Sequence, residues 1–178
     1  MLADCPWEVE DLRAFPGLPV AEETGASYRE NARIKAELVS GITGEMALAD
    51  DSGIEVAALN WGPGLFSARW AGPDKDAEAI NRRLLDAVAG IRGEGRRAVM
   101  RSVVALISPD GRSWFGEGAC EGEIATAPAG EEGFGYDPIF RLPGFNLTLA
   151  QLPTDVRDSI SHRGKAVGEI RAVLLNWR

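Results

Sequence analysis

Apolar positions recur along the chain at spacings that predict helices in two separate stretches. Residues 28–39 are rich in alanine and follow Ser27, and Glu30 lies three positions after that serine, as in a capped helix N-terminus. We expect this helix to end at Gly41, since glycine commonly follows the last turn of a helix. Residues 76–89 have apolar side chains at three- and four-residue spacing, which predicts a second, amphipathic helix.

Short apolar runs predict the first strands. Residues 46–49 and 54–59 are each too short for an independent helix, so we expect two strands. The acidic segment Asp50-Asp51-Ser52-Gly53 lies between them and is predicted to be a loop. Residues 60–64, Asn-Trp-Gly-Pro-Gly, are a strong turn cluster that follows the second strand.

A hairpin and a C-terminal helix are predicted in the second half of the chain. Residues 98–107 form its longest β-like run, and the turn sequence at residues 108–111 predicts that residues 112–123 return antiparallel to it. Residues 138–141 are strand-like. Ser161 is a plausible N-cap for a last helix with an apolar face.

Length and charge limit the classes of function. The 178 residues suit one compact domain, residues 1–178, which buries roughly 70% of its unfolded surface. The net charge is −8 and basic residues are nowhere concentrated, so duplex nucleic acid is not expected as a partner. A small phosphate ester remains possible, because a divalent cation held by carboxylates supplies local positive charge.

Cysteine usage and hydropathy indicate the compartment. Cys5 and Cys120 are far apart in the sequence and belong to no CxxC pair, which indicates neither a disulfide framework nor a zinc site. The sequence contains no apolar run of 18 residues, and its first 20 residues are acidic rather than basic and then apolar. We therefore expect a cytoplasmic protein without a membrane partner.

Two acidic pairs are candidates for metal chemistry. In the segment Asp50-Asp51-Ser52, one carboxylate can bind a divalent cation while its neighbour accepts a proton from water. Glu22-Glu23 is a second pair that can complete an oxygen-ligand set, and Lys35 is a candidate phosphate partner. The alternatives stay open, since Asp-Ser-Gly turns are common and surface acidic pairs are usually only solvated.

Two further segments carry unusual chemistry. In residues 133–138, Gly-Phe-Gly-Tyr-Asp-Pro, the aromatic faces can stack on a base, although the same rings can equally fill a core. His162 is the only histidine and precedes Arg163 at a predicted helix N-terminus. With no Gly-x-Ser-x-Gly elbow, metal-assisted attack by water fits better than covalent catalysis, and P-loop and dinucleotide-binding motifs are absent from the sequence.

The chain from about residue 21 onwards resembles the inosine and xanthosine triphosphate pyrophosphatases, also called the Ham1-like family. Five ordered motifs carry this resemblance: Glu22-Glu23-Thr24-Gly25 with residues 28–36, Ala49 to Gly53, Gly62 to Arg69, Gly133 to Phe140, and Ile160 to Ala166.

The resemblance implies an α/β fold, elongated and two-lobed, with a long central mixed β-sheet, flanking helices and a nucleotide cleft between the lobes. It also implies a Mg²⁺-dependent homodimer that cleaves inosine, deoxyinosine and xanthosine triphosphates between the α- and β-phosphates. Pyrophosphate and a nucleoside monophosphate are the products.

Residue roles follow from the same motifs. The resemblance makes Asp51 the proton acceptor, pairs it with Glu22 as a metal ligand, and makes Ser52 a substrate contact. It assigns His162 and Arg163 to the purine 6-oxo group. It also implies two further sets of substrate-binding residues. Arg157 stands where the family usually has a substrate-binding lysine. The base-binding loop consists of Phe134, Gly135, Tyr136 and Asp137.

Two departures from the family pattern stand out. Family members open with a strand and a Thr/Ser-x-Asn-x-x-Lys phosphate loop, which the given sequence lacks, and Gln151 stands where glutamate is usual. Either the natural start lies upstream of Met1, or the chain is a catalytically impaired nucleotide-binding protein. A third alternative is a Maf-like enzyme for modified pyrimidines, against which the His162-Arg163 pair argues.

Overall fold

A computed structural model, which describes residues 1–2, 4–72 and 76–177, confirms the α/β class. Its helices are α1 (Tyr28–Thr43), α2 (Ala77–Ala87), α3 (Thr154–Ile160) and α4 (His162–Leu175). Its strands are β1 (Ala47–Val56), β2 (Gly62–Pro63), β3 (Arg97–Ile107), β4 (Ser113–Ile124), β5 (Phe140–Leu142) and β6 (Leu147–Thr148).

The six strands form a sheet in the order β2-β1-β3-β4-β5-β6. The pairs β1–β2, β4–β5 and β5–β6 are antiparallel, with Glu55 opposite Pro63 and Glu123 opposite Arg141. The predicted hairpin of β3 and β4 is confirmed, because the Ser108 N–H donates to the Arg112 carbonyl at 3.0 Å across the turn.

The chain divides into two compact units. Unit 1 comprises residues 1–51, 102–118 and 163–178, and unit 2 comprises residues 52–101 and 119–162. Strands β1, β3 and β4 each contribute residues to both units. That the whole chain acts as one domain stays a prediction.

In unit 1, strand β3 is buried on both faces. Side chains alternate across a strand, so Val103 and Ala105 pack on one side with Ala36 of α1. Val104 on the other side packs with Ile170 of α4. The uninterrupted apolar run of β3 therefore reflects a helix on each face of the sheet in this unit.

In unit 2, helix α2 buries the apolar stripe that its sequence predicts. Ile80, Leu84 and Val88 are 6%, 0% and 0% exposed and pack in a core that includes Phe140. Asp76 caps the helix by accepting from the N–H groups of its first turn.

One arginine is buried in unit 2. Arg96 is 9% exposed and donates to the carbonyls of Ile124, Ala125, Val88 and Ile91. Burial lowers the pKa of this guanidinium. The four acceptors show that it connects the end of α2 to the end of β4.

The prediction for the acidic segment was wrong. Asp50-Asp51-Ser52-Gly53 is not a loop between two strands but the middle of one continuous strand, β1, and residues 57–59 form a 3₁₀ turn. Turn-forming residues adopt strand geometry here because β1 is hydrogen-bonded to the long strand β3 in the sheet.

The first helix begins as predicted and ends later. The Ser27 hydroxyl accepts from the Glu30 N–H at 3.1 Å, so the predicted N-cap is confirmed. The Glu30 carboxylate accepts from the N–H of Ala26, one residue before the N-cap, at 2.6 Å, which differs from the reciprocal bond of a capping box. Gly41 lies inside α1, and the left-handed C-cap is Gly44, with φ of 73°. The short helix α3 was not predicted at all.

Gln151, which stands where the family usually has glutamate, has a local structural role. Its side-chain oxygen accepts from the Thr148 N–H at 3.0 Å and completes a capping box for the turn Leu149–Gln151. Glutamine supplies this acceptor as well as glutamate does.

No helix in the described part of the chain combines the length and apolar composition that crossing a membrane requires.

Candidate active site

The two aspartates of β1 lie on opposite faces of the sheet in unit 1. Asp51 shares a face with Ala47 and Ala49, which pack with α1. Asp50 shares the other face with Met46, which packs against the apolar cluster that Val104 of β3 forms with Ile170 of α4. Neighbouring residues on a strand point in opposite directions, so the two carboxylates have separate sets of partners.

Asp51 is buried against helix α1. It is 8% exposed, and its carboxylate accepts from Lys35 Nζ at 2.7 Å and from Asn31 Nδ2 at 3.2 Å. Lys35 Nζ also donates to Glu23 Oε1 at 3.1 Å. One ammonium therefore lies between two carboxylates.

Asn31 connects the preceding acidic segment to Asp51. Its Oδ1 accepts from the Gly25 N–H at 2.8 Å while its Nδ2 donates to Asp51. A Cβ at Gly25 would lie 2.7 Å from Asn31 Oδ1, so only glycine allows this approach. The fully buried amide thus holds the segment that carries Glu23 close to Asp51.

Burial and charge oppose each other in this cluster. Burial raises the pKa of the Asp51 carboxyl, and the hydrogen bonds and charge of Lys35 offset only part of that effect. For Lys35 burial favours the neutral amine, but the combined attraction of Asp51 and Glu23 outweighs it and raises the pKa of the ammonium. Lys35 therefore stays protonated at neutral pH.

Asp50 engages Arg163 on the first turn of α4. Its carboxylate accepts from Arg163 Nε at 2.8 Å and Nη2 at 3.5 Å, and from the Ser102 hydroxyl at 3.2 Å. Both side chains of the ion pair are about three-quarters buried, which restricts the guanidinium to one orientation.

In unit 2, residues 133–137 form a tight loop that separates its two aromatic side chains. Phe134 is 62% exposed, whereas Tyr136 is 8% exposed, packs in the core and donates its hydroxyl to the Ser67 carbonyl at 2.9 Å. The Asp137 carboxylate accepts from the Phe134 N–H at 3.1 Å. Of the two rings, Phe134 is the one that a base can reach.

Glycines make this loop possible. Gly133 and Gly135 have φ of 79° and 61°, in the left-handed region that glycine adopts without strain. A Cβ at Gly133 would also clash with the Asp137 carboxylate. The Gly-Phe-Gly spacing is thus a requirement of the backbone.

The remaining predicted residues have varied surroundings. Ser52 is half-buried and follows Asp51 in β1, and His162 is 7% exposed at the first position of α4, which begins as predicted. Arg157 donates to the Thr154 hydroxyl at 3.2 Å within α3. Glu22 is exposed, and the neighbouring Glu23 is the residue that contacts Lys35.

Some site residues were missed by sequence reasoning. The roles of Asn31 and Ser102 as partners of the two aspartates depend on contacts between distant segments, which no spacing in the sequence indicates. The Asn31-to-Lys35 spacing of four did place both side chains on one helix face.

Two carboxylates of unit 1 lie close enough together to share a cation. In the described ranges, no cluster of three or more His, Cys, Asp or Glu side chains is arranged to hold a metal ion. The carboxylates of Glu23 and Asp51 nevertheless converge on one cationic atom, Lys35 Nζ. Mg²⁺ typically uses one or two protein carboxylates and takes further oxygens from substrate phosphates, so this pair fits such an ion.

Comparison with known proteins identifies the family. The model of the Ham1 family matches residues 1–173. The chain belongs to the Ham1 family. A dITP/XTP pyrophosphatase of Desulforamulus reducens is 44% identical over 174 residues, which cover 98% of this chain and 87% of the relative. One of Nitratidesulfovibrio vulgaris is 46% identical over 177 residues, covering 96% and 84%.

Solved Ham1 structures have the same fold. The Ham1 protein of Staphylococcus aureus matches with a TM-score of 0.84 at 39% identity, covering 94% of this chain and 85% of that protein. A HAM1 protein from Coxiella burnetii matches with a TM-score of 0.82 at 41% identity, covering 89% and 82%.

Proposed function

We propose that this Ham1 family member is a nucleoside triphosphate pyrophosphatase that hydrolyses non-canonical purine nucleotides. Its substrates are deoxyinosine, inosine and xanthosine triphosphates, and its products are the monophosphate and pyrophosphate. The observation that carries the proposal is the partly buried cluster of Asp51, Lys35 and Glu23, which combines a proton acceptor with a cation-binding pair of carboxylates.

Asp51 accepts the proton of the attacking water. The water oxygen forms a bond to the α-phosphorus, the bond from that phosphorus to the bridging oxygen breaks, and pyrophosphate leaves. Asn31 and Lys35 hold the Asp51 carboxylate in position through bonds of 3.2 and 2.7 Å. The raised pKa of Asp51 makes it a better base than an ordinary aspartate once it is ionised.

Magnesium belongs to the same proposal. Asp51 and an acidic residue of the Glu22-Glu23 pair would hold the ion, and Glu23 is the better placed because its carboxylate already converges with Asp51 on Lys35. When bound, Mg²⁺ supplies positive charge that neutralises the phosphates. Lys35 offers a second cation for a phosphate oxygen.

Base recognition is proposed for the aromatic loop and the His162-Arg163 pair. Phe134, which is 62% exposed, stacks on the purine. His162 and Arg163 donate to the 6-oxo group, and Asp50 fixes the direction of the Arg163 guanidinium. Adenine presents an amino group at that position, which leaves the donors unpaired and explains discrimination against ATP.

We further propose that the protein is a cytoplasmic homodimer. The family resemblance supports the dimer, and the two isolated cysteines support a reducing compartment. A catalytically impaired nucleotide-binding protein is not favoured, because the relatives compared above are named as pyrophosphatases.

The experiment is a product assay on the purified chain with Mg²⁺. Inosine triphosphate and ATP are supplied separately, and monophosphate, pyrophosphate and orthophosphate are quantified. We expect inosine monophosphate and pyrophosphate in equal amounts, with a much lower rate on ATP. Orthophosphate as the first product, or equal rates on both nucleotides, would contradict the proposal.

A further inference from the structure

A buried asparagine contacts the aromatic loop from helix α2. Asn81 is 7% exposed, and its Nδ2 donates to the Gly135 carbonyl at 2.9 Å. Within the part of the chain that the structure describes, its Oδ1 is buried and has no hydrogen-bond partner. This half-satisfied amide lies outside the cluster of Asp51.

The position is an unusual place for an amide. The other buried positions of the α2 stripe are Ile80, Leu84 and Val88, all apolar, and a leucine at position 81 would avoid burying an unpaired acceptor. The Gly135 carbonyl also decides which way the amide points, because an oxygen facing that carbonyl would be repelled. The favourable part of the arrangement is therefore its bond to the loop.

The loop needs a restraint at this point. Gly135 has φ of 61°, and no heavy atom would lie within 4 Å of a Cβ placed on it, so neighbouring side chains do not confine its backbone. Glycine also has more conformational freedom to lose than any other residue. Asp137 and Tyr136 fix the loop on either side through their contacts with the Phe134 N–H and the Ser67 carbonyl. Asn81 holds the glycine between Phe134 and Tyr136.

We propose that Asn81 is a positioning residue for base recognition. By holding the Gly135 carbonyl, it sets the direction in which the neighbouring Phe134 ring is presented to the purine. The inference rests on the proposed function for the role of Phe134, but the restraint on the loop can be measured without substrate.

The test compares N81L with V88A. Leucine has the same heavy-atom branching as asparagine, with a larger volume, and removes the donor. V88A removes buried apolar volume from the same core, at the C-cap of α2, without removing a side-chain hydrogen bond to the loop. Hydrogen exchange of the backbone amides of residues 134–137 and the Kd of inosine monophosphate are measured for both variants and the parent chain.

We expect faster exchange of the loop amides in N81L and a Kd raised about threefold to tenfold, as for the loss of one hydrogen bond. The KM for inosine triphosphate should rise by a similar factor while kcat stays within about twofold, since loss of ground-state binding acts on KM. V88A should lower the Tm and leave loop exchange, Kd and KM unchanged.

Unchanged loop exchange and Kd in N81L, or equal changes in V88A, would overturn the role of Asn81. N81D serves if N81L does not fold, because it keeps the shape of the side chain and replaces the donor by an acceptor that faces a carbonyl. It should raise the Kd at least as much. If the parent chain neither binds the monophosphate nor hydrolyses the triphosphate, the proposed function fails, while loop exchange still decides whether Asn81 restrains Gly135.

Discussion

The two units present their candidate functional side chains on different kinds of backbone. In unit 1, Asp50 and Asp51 lie within a strand and Lys35 lies on a helix, so hydrogen-bonded secondary structure fixes them. In unit 2, Phe134 lies in a loop shaped by two glycines and held by side-chain contacts. Groups on regular elements are placed more accurately than groups on loops. We therefore expect unit 1 to determine turnover and unit 2 to determine affinity for the base.

Replacing Asp51 should have the largest effect. D51N keeps the shape of the side chain and removes the proton acceptor, so kcat for inosine triphosphate should fall by about 10²- to 10⁴-fold, the usual contribution of a general base. The Kd of inosine monophosphate should stay within about twofold. Steady-state pyrophosphate release and calorimetric binding measure the two quantities.

E37Q is the matched control for D51N. Glu37 pairs with Arg33 on the exposed face of α1, so its kinetics should equal those of the parent chain. A D51N variant that keeps its kcat but binds the base more weakly would contradict the expectation that unit 1 determines turnover and unit 2 determines affinity.

Replacing Arg163, a residue of unit 1, tests its proposed role in base recognition. R163M removes the donors to the 6-oxo group, and the ratio of kcat/KM for inosine triphosphate over ATP should fall about tenfold to hundredfold, as for hydrogen bonds from a charged group. R171M is the control on the same helix, where Arg171 pairs with Asp4. An unchanged ratio in R163M would separate Arg163 from recognition.

Removing the exposed ring of unit 2 should weaken binding of the base. F134A should raise the Kd of inosine monophosphate by about tenfold, because stacking of an aromatic side chain on a base contributes about 1–3 kcal/mol. Phe145 is also exposed, at 51%, and F145A should leave the Kd unchanged. Equal effects of the two substitutions would show that the ring acts through general surface hydrophobicity.

The smallest predicted effect distinguishes two neighbouring glutamates. E23Q removes a charge from the cluster around Lys35, and the Mg²⁺ concentration for half-maximal rate should rise about fivefold, since a unit charge at 4 Å contributes about 1 kcal/mol in water. E22Q should leave it unchanged. The opposite result would assign the metal contact to Glu22.

The predicted helices and hairpin were largely correct because their signals are local. Ser27 and Glu30 lie within one turn, and the apolar stripe of α2 needs only helical periodicity to be recognised. The strand β1 was misinterpreted because Asp, Ser and Gly favour turns when only local preference is considered. Its strand geometry depends on pairing with residues far away in the sequence.

Part of the candidate site could not be predicted either, because it also depends on contacts between residues that are distant in the sequence. The sequence indicated two aromatic residues in the loop, but only tertiary packing places Tyr136 in the core and leaves Phe134 exposed. Likewise, the acidic pair at positions 22 and 23 was evident, yet the contact with Lys35 follows from how Asn31 holds Gly25.

Because side chains alternate in β1, substitutions in this strand should have different effects from insertions or deletions. Adjacent residues, Asp50 and Asp51, are held by cations on different helices, with the backbone of the sheet between the two ion pairs. A substitution at either aspartate therefore alters one electrostatic neighbourhood and leaves the other intact. An insertion or deletion of one residue before Asp50 would exchange the faces of both carboxylates together, so the length of this strand is constrained more tightly than its composition.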